Sequence, residues 1–234
     1  MSVRTKLTLA FLAIAAIPLL LVSALTYINF KDSLESARIS SLRDIAAFKA
    51  DKIETYFAQL KGNIETAQSF YNIKTNLPVL TRLTGEPNNP DFLAAKKMLD
   101  EQLWRMQSVL GLADIMLLNP KGKTVYASSP HDYSIDFLNR LPNSEQMAFE
   151  EGKNSIYFSD IFVYQAAGNR YEMLVTAPVF DFNNAFIGVI AFEVDMAPLY
   201  KLVQDATGLG ATGETLLGKK TGNEIVYHYC PVIS

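Results

Sequence analysis

The chain has 234 residues, 49% of them hydrophobic and 19% charged, and a formal net charge of −3; a balance so near neutral makes no electrostatic case for nucleic acid or an anionic membrane surface as partner. Its one cysteine, Cys230, excludes an internal disulfide, and its two histidines, His131 and His228, lie far apart without a cysteine cluster, which speaks against zinc. No cofactor is expected.

Leu7 to Phe30 runs without Asp, Glu, Lys, Arg or His. At about 1.5 Å per residue it makes a helix of roughly 36 Å, enough to cross a ~30 Å hydrocarbon core. Arg4 and Lys6 precede it, and Lys31, Asp32 and Glu35 follow. The positive-inside rule then predicts residues 1–6 as a cytoplasmic tail, 7–30 as a transmembrane helix, and everything later outside. Val22-Ser23-Ala24 imitates a signal-peptidase site, the alternative being a cleaved signal. Apolar character continues past it through Leu25, Tyr27, Ile28 and Phe30, which favours an uncleaved anchor.

Lys31 to Asn76 contains no proline and only one glycine, Gly62. Ile53, Phe57, Leu60, Ile64, Ala67 and Tyr71 recur four and three apart, and Ile39, Leu42 and Ala46 extend the register upstream with Lys49 as its polar exception. This spacing predicts a long amphipathic stalk helix over 31–76, continuous with the membrane span. It either packs on its own domain, or contacts a second copy, or both. Pro78 and the polar run Thr84 to Asn89 break the pattern. A second helix starts with Asn89 as N-cap and Pro90 in the first turn, buries Leu99, Leu103, Met106 and Leu110 with Trp104 beside them, and ends at Gly111.

Strand signals follow. Ala113 to Leu118 and Lys123 to Ser128 flank Asn119-Pro120-Lys121-Gly122, a type I turn pattern. Ser129 to Asn154 is a polar crossover with a short helix over Asn143 to Glu151. Strands then cover Ser155 to Phe158, Ile161 to Ala166, Arg170 to Val179 and Ala185 to Val194, with turns at 167–169 and at Asp181-Phe182-Asn183-Asn184. Asp195 caps a closing helix that runs past Pro198 to about Ala206. Helices grouped before hairpin-linked strands indicate an α+β fold with an antiparallel sheet of about five strands. Met173, Val175, Ile187, Val189, Ile190 and Phe192 make both faces of the last two strands apolar, so both faces should be covered, one by the long helix and one by the crossover.

Gly208-Leu-Gly210-Ala-Thr-Gly213 matches the dinucleotide pattern G-x-G-x-x-G, but a helix precedes it and strand-like Glu214 to Leu217 follows, the reverse of the required order. It reads as a connection. There is no G-x-S-x-G elbow, H-E-x-x-H pair or Walker lysine. No catalysis is expected.

The hairpin Asp114 to Ser129, Tyr157-Phe-Ser-Asp160, Ala177-Pro-Val-Phe-Asp181 and Phe186 to Asp195 resemble, in order, the double Cache (dCache) extracytoplasmic sensors, whose modules are PAS-like. The resemblance covers roughly residues 31–218. It implies a membrane-distal ligand-binding module over 77–206, and residues 207–234 as a linker and the start of a truncated membrane-proximal module. It implies the outer part of a chemoreceptor, sensor kinase or cyclic-dinucleotide enzyme whose output domain is absent from this sequence. Amino-acid-binding members carry an arginine closely followed by Trp-Tyr after the first hairpin, and no such pair follows Arg140.

Ligand contacts are expected from polar and aromatic residues of the sheet and crossover: Tyr126, His131, Tyr133, Tyr164, Tyr171 and Asp181. A tyrosine offers a flat apolar face and a hydroxyl, and Asp181, where the resemblance implies an acid, would pair with a cationic group. Against this, strand tyrosines commonly only pack, and an Asp before Asn-Asn commonly serves its turn. The expected partners are a small-molecule ligand, the membrane and a second copy through the stalk, with no nucleic acid. A self-contained anchored or secreted binding protein is the alternative, and an exported enzyme the next.

Overall fold

The structure is a computed structural model and describes residues 3–129, 143–164, 170–210, 213–221 and 224–228. Helix α1 runs from Val3 to Ala67 without interruption, passing through Pro18. It is the one helix among the described residues long and apolar enough to cross a membrane, with a mean hydropathy of 1.6 in its most apolar window and none of that window buried.

Two compact units divide the chain, one made of 1–51 with 206–215 and the other of 52–205 with 216–234. In the first, the connection after the sheet lies along α1. Lys49 Nζ donates to Thr215 Oγ1 at 2.7 Å. That bond explains why a lysine in the apolar register is buried at 6% exposure. Ile39 and Leu42, further up the helix, are exposed.

The second unit holds the sheet. The stalk ends at Ala67 rather than at Asn76. Ser69 Oγ donates to Thr66 O at 2.7 Å and Phe70 N to Ala67 O at 3.0 Å, closing the last turn, and Phe70 itself is extended (φ −59°, ψ 131°). A separate helix α2 follows, Tyr71–Arg82, with Pro78 inside it. Proline there denies Lys74 O its helical donor. The helix nonetheless continues, because Ile73, Leu77 and Leu80 are wholly buried. Tyr71, expected in the buried stripe, is exposed at the start of α2.

Helix α3, Pro90–Leu110, begins and ends as its sequence predicts: Asn89 Oδ1 accepts from Asp91 N at 3.0 Å, and Gly111 takes a left-handed φ of 65°. Trp104 is 65% exposed. Strands β1 (Asp114–Leu118) and β2 (Thr124–Ala127) form the first hairpin. Asn119 Oδ1 accepts from Lys121 N and Lys123 N, and Gly122 closes the turn at φ 81°. Helix α4, Asn143–Gly152, precedes the short strands β3 (Tyr157–Phe158) and β4 (Phe162–Tyr164). The long strands β5 (Arg170–Phe180) and β6 (Phe186–Asp195) lead into α5, Ala197–Gln204, where Asp195 Oδ1 accepts from Ala197 N at 2.8 Å. Strands β7 (Leu217–Thr221) and β8 (Glu224–His228) pair only with each other.

The main sheet is antiparallel in the order β2-β1-β6-β5-β3, with β4 also on β5, six strands where about five were expected. Its pleat sends Ile115, Leu117, Val175, Ala177, Ile190 and Phe192 to one face, against Leu60 and Ile64 of α1, Leu77 and Leu80 of α2, and Leu99 and Leu103 of α3. Leu118, Leu174, Val189 and Ala191 point the other way, against Ala148 and Phe149 of α4. Both faces are covered, as their apolar residues predict.

Gly188 lets β6 approach β1. A Cβ built there would overlap Leu118 O and stand 3.0 Å from Leu77 Cδ2, and the backbone φ is 150°. Gly188→Ala is expected to cost about 1–3 kcal/mol in denaturant unfolding, whereas Gly85→Ala, with nothing within 4 Å, should stay within about 0.5 kcal/mol of the parent.

Candidate functional site

On the α4 side of the sheet, the apolar pattern is broken by acids. Asp114 of β1 lies opposite Glu193 of β6, and Glu193 lies opposite Leu174 of β5. Glu172, two residues before Leu174, therefore shares their face and stands diagonally from Glu193. All are buried: Glu172 at 0%, Asp114 at 2% and Glu193 at 8% exposure. Burying isolated carboxylates costs several kcal/mol each unless they are paired or protonated, so each needs an account.

Asp114 is held by its own hairpin. Its Oδ1 accepts from Ile115 N at 2.7 Å and from Ser128 N, Ser128 Oγ and Ser129 N at 2.9 Å each. Ser129 Oγ donates to Ala113 O at 2.8 Å and accepts from Gln107 Nε2 of α3 at 2.7 Å. This carboxylate ties β1, the end of β2 and, through Ser129, α3 together.

Glu172 faces a cation on one side and an acid on the other. The guanidinium of Arg170 lies 3.1 Å from its Oε1. Beyond that ion pair, neither carboxyl oxygen of Glu172 has a hydrogen bond. Two carboxylates are acceptors only, so a hydrogen bond between them exists when one carries a proton. Glu193 is that acid. Burial, followed by its hydrogen bond to Glu172 and the charges of Glu172 and Asp114, pushes its carboxyl up to about 9, against the opposing pull of Arg170. At neutral pH Glu193 thus holds its proton toward Glu172, and Arg170 faces the pair from the Glu172 side.

The cluster is an anionic seat in the sheet. Among the described residues no group of three or more His, Cys, Asp or Glu side chains is arranged to hold a metal ion. On the opposite face the environment is hydrophobic, and Tyr56 has its hydroxyl held above the ordinary range by burial and by Asp195. A surface groove between α2 and α3 is floored by Val79, Ala95 and Met98 and edged by Arg82 and Asp91.

The residues singled out from sequence scatter around this seat. Tyr126 is 1% exposed, in the helix-side core, with Lys96 Nζ 5.8 Å over its ring. Tyr171 is also helix-side and meets Tyr200 edge-to-face at 5.4 Å. Asp181 serves its turn, Oδ1 accepting from Asn183 N and Ala185 N at 2.8 Å each. Tyr164 pairs with Arg170 across β4 and β5, a register position at the acids' end of the sheet. His131 and Tyr133 lie outside the described residues. Sequence reasoning passed over Glu172 and Glu193. Their signal was an acid set in from the charged end of each of two otherwise largely apolar strands, Glu172 after Arg170 and Glu193 before Asp195.

The Cache domain family matches residues 30–233. Among solved structures, the fold is similar to the ligand-binding domain of the Pseudomonas aeruginosa PAO1 amino acid chemoreceptor PctC in complex with GABA, at 14% identity and a TM-score of 0.53, covering 80% of this chain and 74% of that one. The ligand-binding domain of the Campylobacter jejuni chemoreceptor Tlp3, in complex with 4-methylisoleucine, matches at 12% identity and a TM-score of 0.48, covering 72% of this chain and 64% of that one. The sensor domain of the Vibrio cholerae histidine kinase DctB matches at 14% and 0.47, covering 68% and 58%. The chain thus spans less than two thirds of the Tlp3 and DctB domains. No curated protein matches it in sequence.

The raised Glu193 carboxyl has a consequence for stability. The folded protein keeps a proton to about 9 that the unfolded chain releases near the ordinary value of 4.5. Its contribution is therefore complete below about pH 4.5 and is lost as pH rises toward 9. Glu193→Gln, which mimics the protonated acid, is expected to raise stability at pH 8 by about 1–3 kcal/mol and to flatten the fall between pH 5 and 9, as read by denaturant unfolding across that range.

Proposed function

The chain belongs to the Cache domain family, and on that premise we propose that it is the extracytoplasmic ligand-sensing region of a bacterial transmembrane signal-transduction receptor, taking a small organic molecule with a cationic group in its PAS-like module. The observation that carries the ligand class is the buried cluster of Glu172, Glu193 and Asp114, among which only Glu172 shows an ion pair, with Arg170, among the described residues. A protonated amine would bring the charge that this face lacks. Tyr164, in register with Arg170, is the aromatic candidate at that end of the sheet. That PctC is an amino acid chemoreceptor solved with GABA supports an amine-bearing ligand without deciding which one.

The exposed apolar run of α1 supports a membrane anchor, and Arg4 and Lys6 before it support an N-terminus in the cytoplasm with the sheet domain outside. Signalling would pass along α1. Its Leu60, Ile64 and Ala67 are bound into the sheet's core, whereas Ile39 and Leu42 are exposed and available to a second copy. A ligand shifts such an equilibrium only by its differential affinity for the two states. In this reading residues 77–206 are the membrane-distal module, 207–234 open a second one, and the output domain lies outside this chain.

Calorimetric titration of the detergent-solubilised chain should show binding of primary amines such as γ-aminobutyrate and none of the corresponding amine-free acids. The double variant Glu172→Gln with Glu193→Gln should weaken binding at least tenfold. Ligands confined to anions would refute the cation reading. Separately, single cysteines at Ile39 and Leu42 in a Cys230→Ser background are expected to crosslink between copies in membranes, at rates that change with ligand. Rates indifferent to ligand would count against transmission through α1.

A further inference from the structure

Resting on the cation seat proposed above, we propose that proton and ligand compete for it: the amine takes the place of the proton that Glu193 holds toward Glu172, so that binding releases a proton to solvent and the receptor's sensitivity depends on external pH.

The geometry argues for exchange rather than simple addition. Glu172 Oε2 is enclosed by protein and meets no donor unless Glu193 is protonated. An amine arriving at this face would meet an acid pair that already carries a proton on Glu193. Keeping that proton leaves only one negative charge to share between Arg170 and the amine. Releasing it yields two carboxylates for two cations, and an N–H of the amine replaces the carboxyl O–H as donor. The charged groups packed around the pair among the described residues are mostly acids. From β1, Asp114 is saturated at Oδ1 by hairpin donors and adds only negative charge. From β6, Asp195, opposite Glu172 in register, accepts from the Ala197 amide at the start of α5. From the covering side, Glu150 and Glu151 of α4 are exposed, Glu150 pairs with Lys153, and Asp160 beyond β3 is exposed. Arg170 is the cation that pairs with Glu172 and pulls against the raised Glu193 carboxyl.

The thermodynamic consequence is linkage. While the pair holds its proton, each unit rise in pH should tighten amine binding by up to tenfold, levelling off where the free pair loses its proton unaided. A ligand that merely added to the protonated pair would show no such slope.

Infrared difference spectroscopy on the full chain in detergent reads the proton on Glu193 directly, because a protonated carboxyl has a C=O stretch distinct from that of a carboxylate. The expected result is a carboxylic-acid band at pH 7 that disappears toward pH 10, is missing in Glu193→Gln, and titrates at lower pH in Glu172→Gln. Saturating γ-aminobutyrate or methylammonium at pH 7 should bleach the same band. Calorimetry in buffers of different ionisation enthalpy should then count about one proton released per amine bound. A band absent at pH 7, or retained in Glu193→Gln, overturns the proton on Glu193. Amine binding with the band intact and no proton released overturns the competition while leaving the cation seat standing. If neither amine binds yet the band still titrates, the ligand reading fails and the competition falls with it.

Discussion

The pairing of β5 with β6 is the constraint on which the described sheet domain rests. These two long strands lie at the centre of the sheet, in continuous antiparallel register from Glu172 with Asp195 to Val179 with Gly188. Because both are apolar on both faces, neither is stable until two separate layers cover them. The helical layer supplies Leu60, Ile64, Leu77, Leu80, Leu99 and Leu103, and α4 supplies Ala148 and Phe149. The other strands attach to this pair, β1 and β2 on the β6 side and β3 and β4 on the β5 side. Gly188 follows from the same requirement, since a side chain there would hold β6 away from β1.

A pair buried on both faces is a costly place for charge, which gives Glu172 and Glu193 their significance. An apolar residue at either position would continue the pattern of both strands and stabilise the sheet. Instead the acids lie diagonally in adjoining strands, and burial together with its hydrogen bond to Glu172 pushes the Glu193 carboxyl up to about 9. Stability has been given up at one end of the central pair, and the end concerned is the one where β4 and the guanidinium of Arg170 approach. Strain of this kind is common where a protein must bind something.

The acid cluster and the long apolar run belong to different parts of one chain, with helix α1 contributing residues to both compact units. Its apolar side chains change task along its length. Those near the N-terminus are exposed over a stretch suited to lipid, Ile39 and Leu42 are exposed in the polar middle, and Leu60, Ile64 and Ala67 are absorbed into the sheet's core. A four-and-three spacing says only that a stripe exists. What covers the stripe is a separate matter, and in the last two turns the answer is the protein's own sheet.

Local chemistry determined much of this protein in the sequence itself. Asn89, Pro90 and Gly111 bound α3, Asn119 to Gly122 turn the first hairpin, and Asp195 receives the amide of Ala197, because caps and turns are made by residues adjacent in sequence. The α+β class and the two-sided burial of the sheet were legible from the order and apolar patterning of the segments, as was the uncharged run within α1. The split of the stalk at Phe70 was not: no glycine or proline marks it, and α2 keeps its Pro78 only because Ile73, Leu77 and Leu80 reach a core assembled from distant segments. Nor was the acid seat, since strand periodicity assigns residues to faces but register alone brings Glu193 against Asp114 and diagonally to Glu172. Tyr126, Tyr171 and Asp181 were named for side-chain chemistry, and only the tertiary structure sent the first two into the helix-side core and the third into its own turn, because the direction of a side chain depends on what packs across from it.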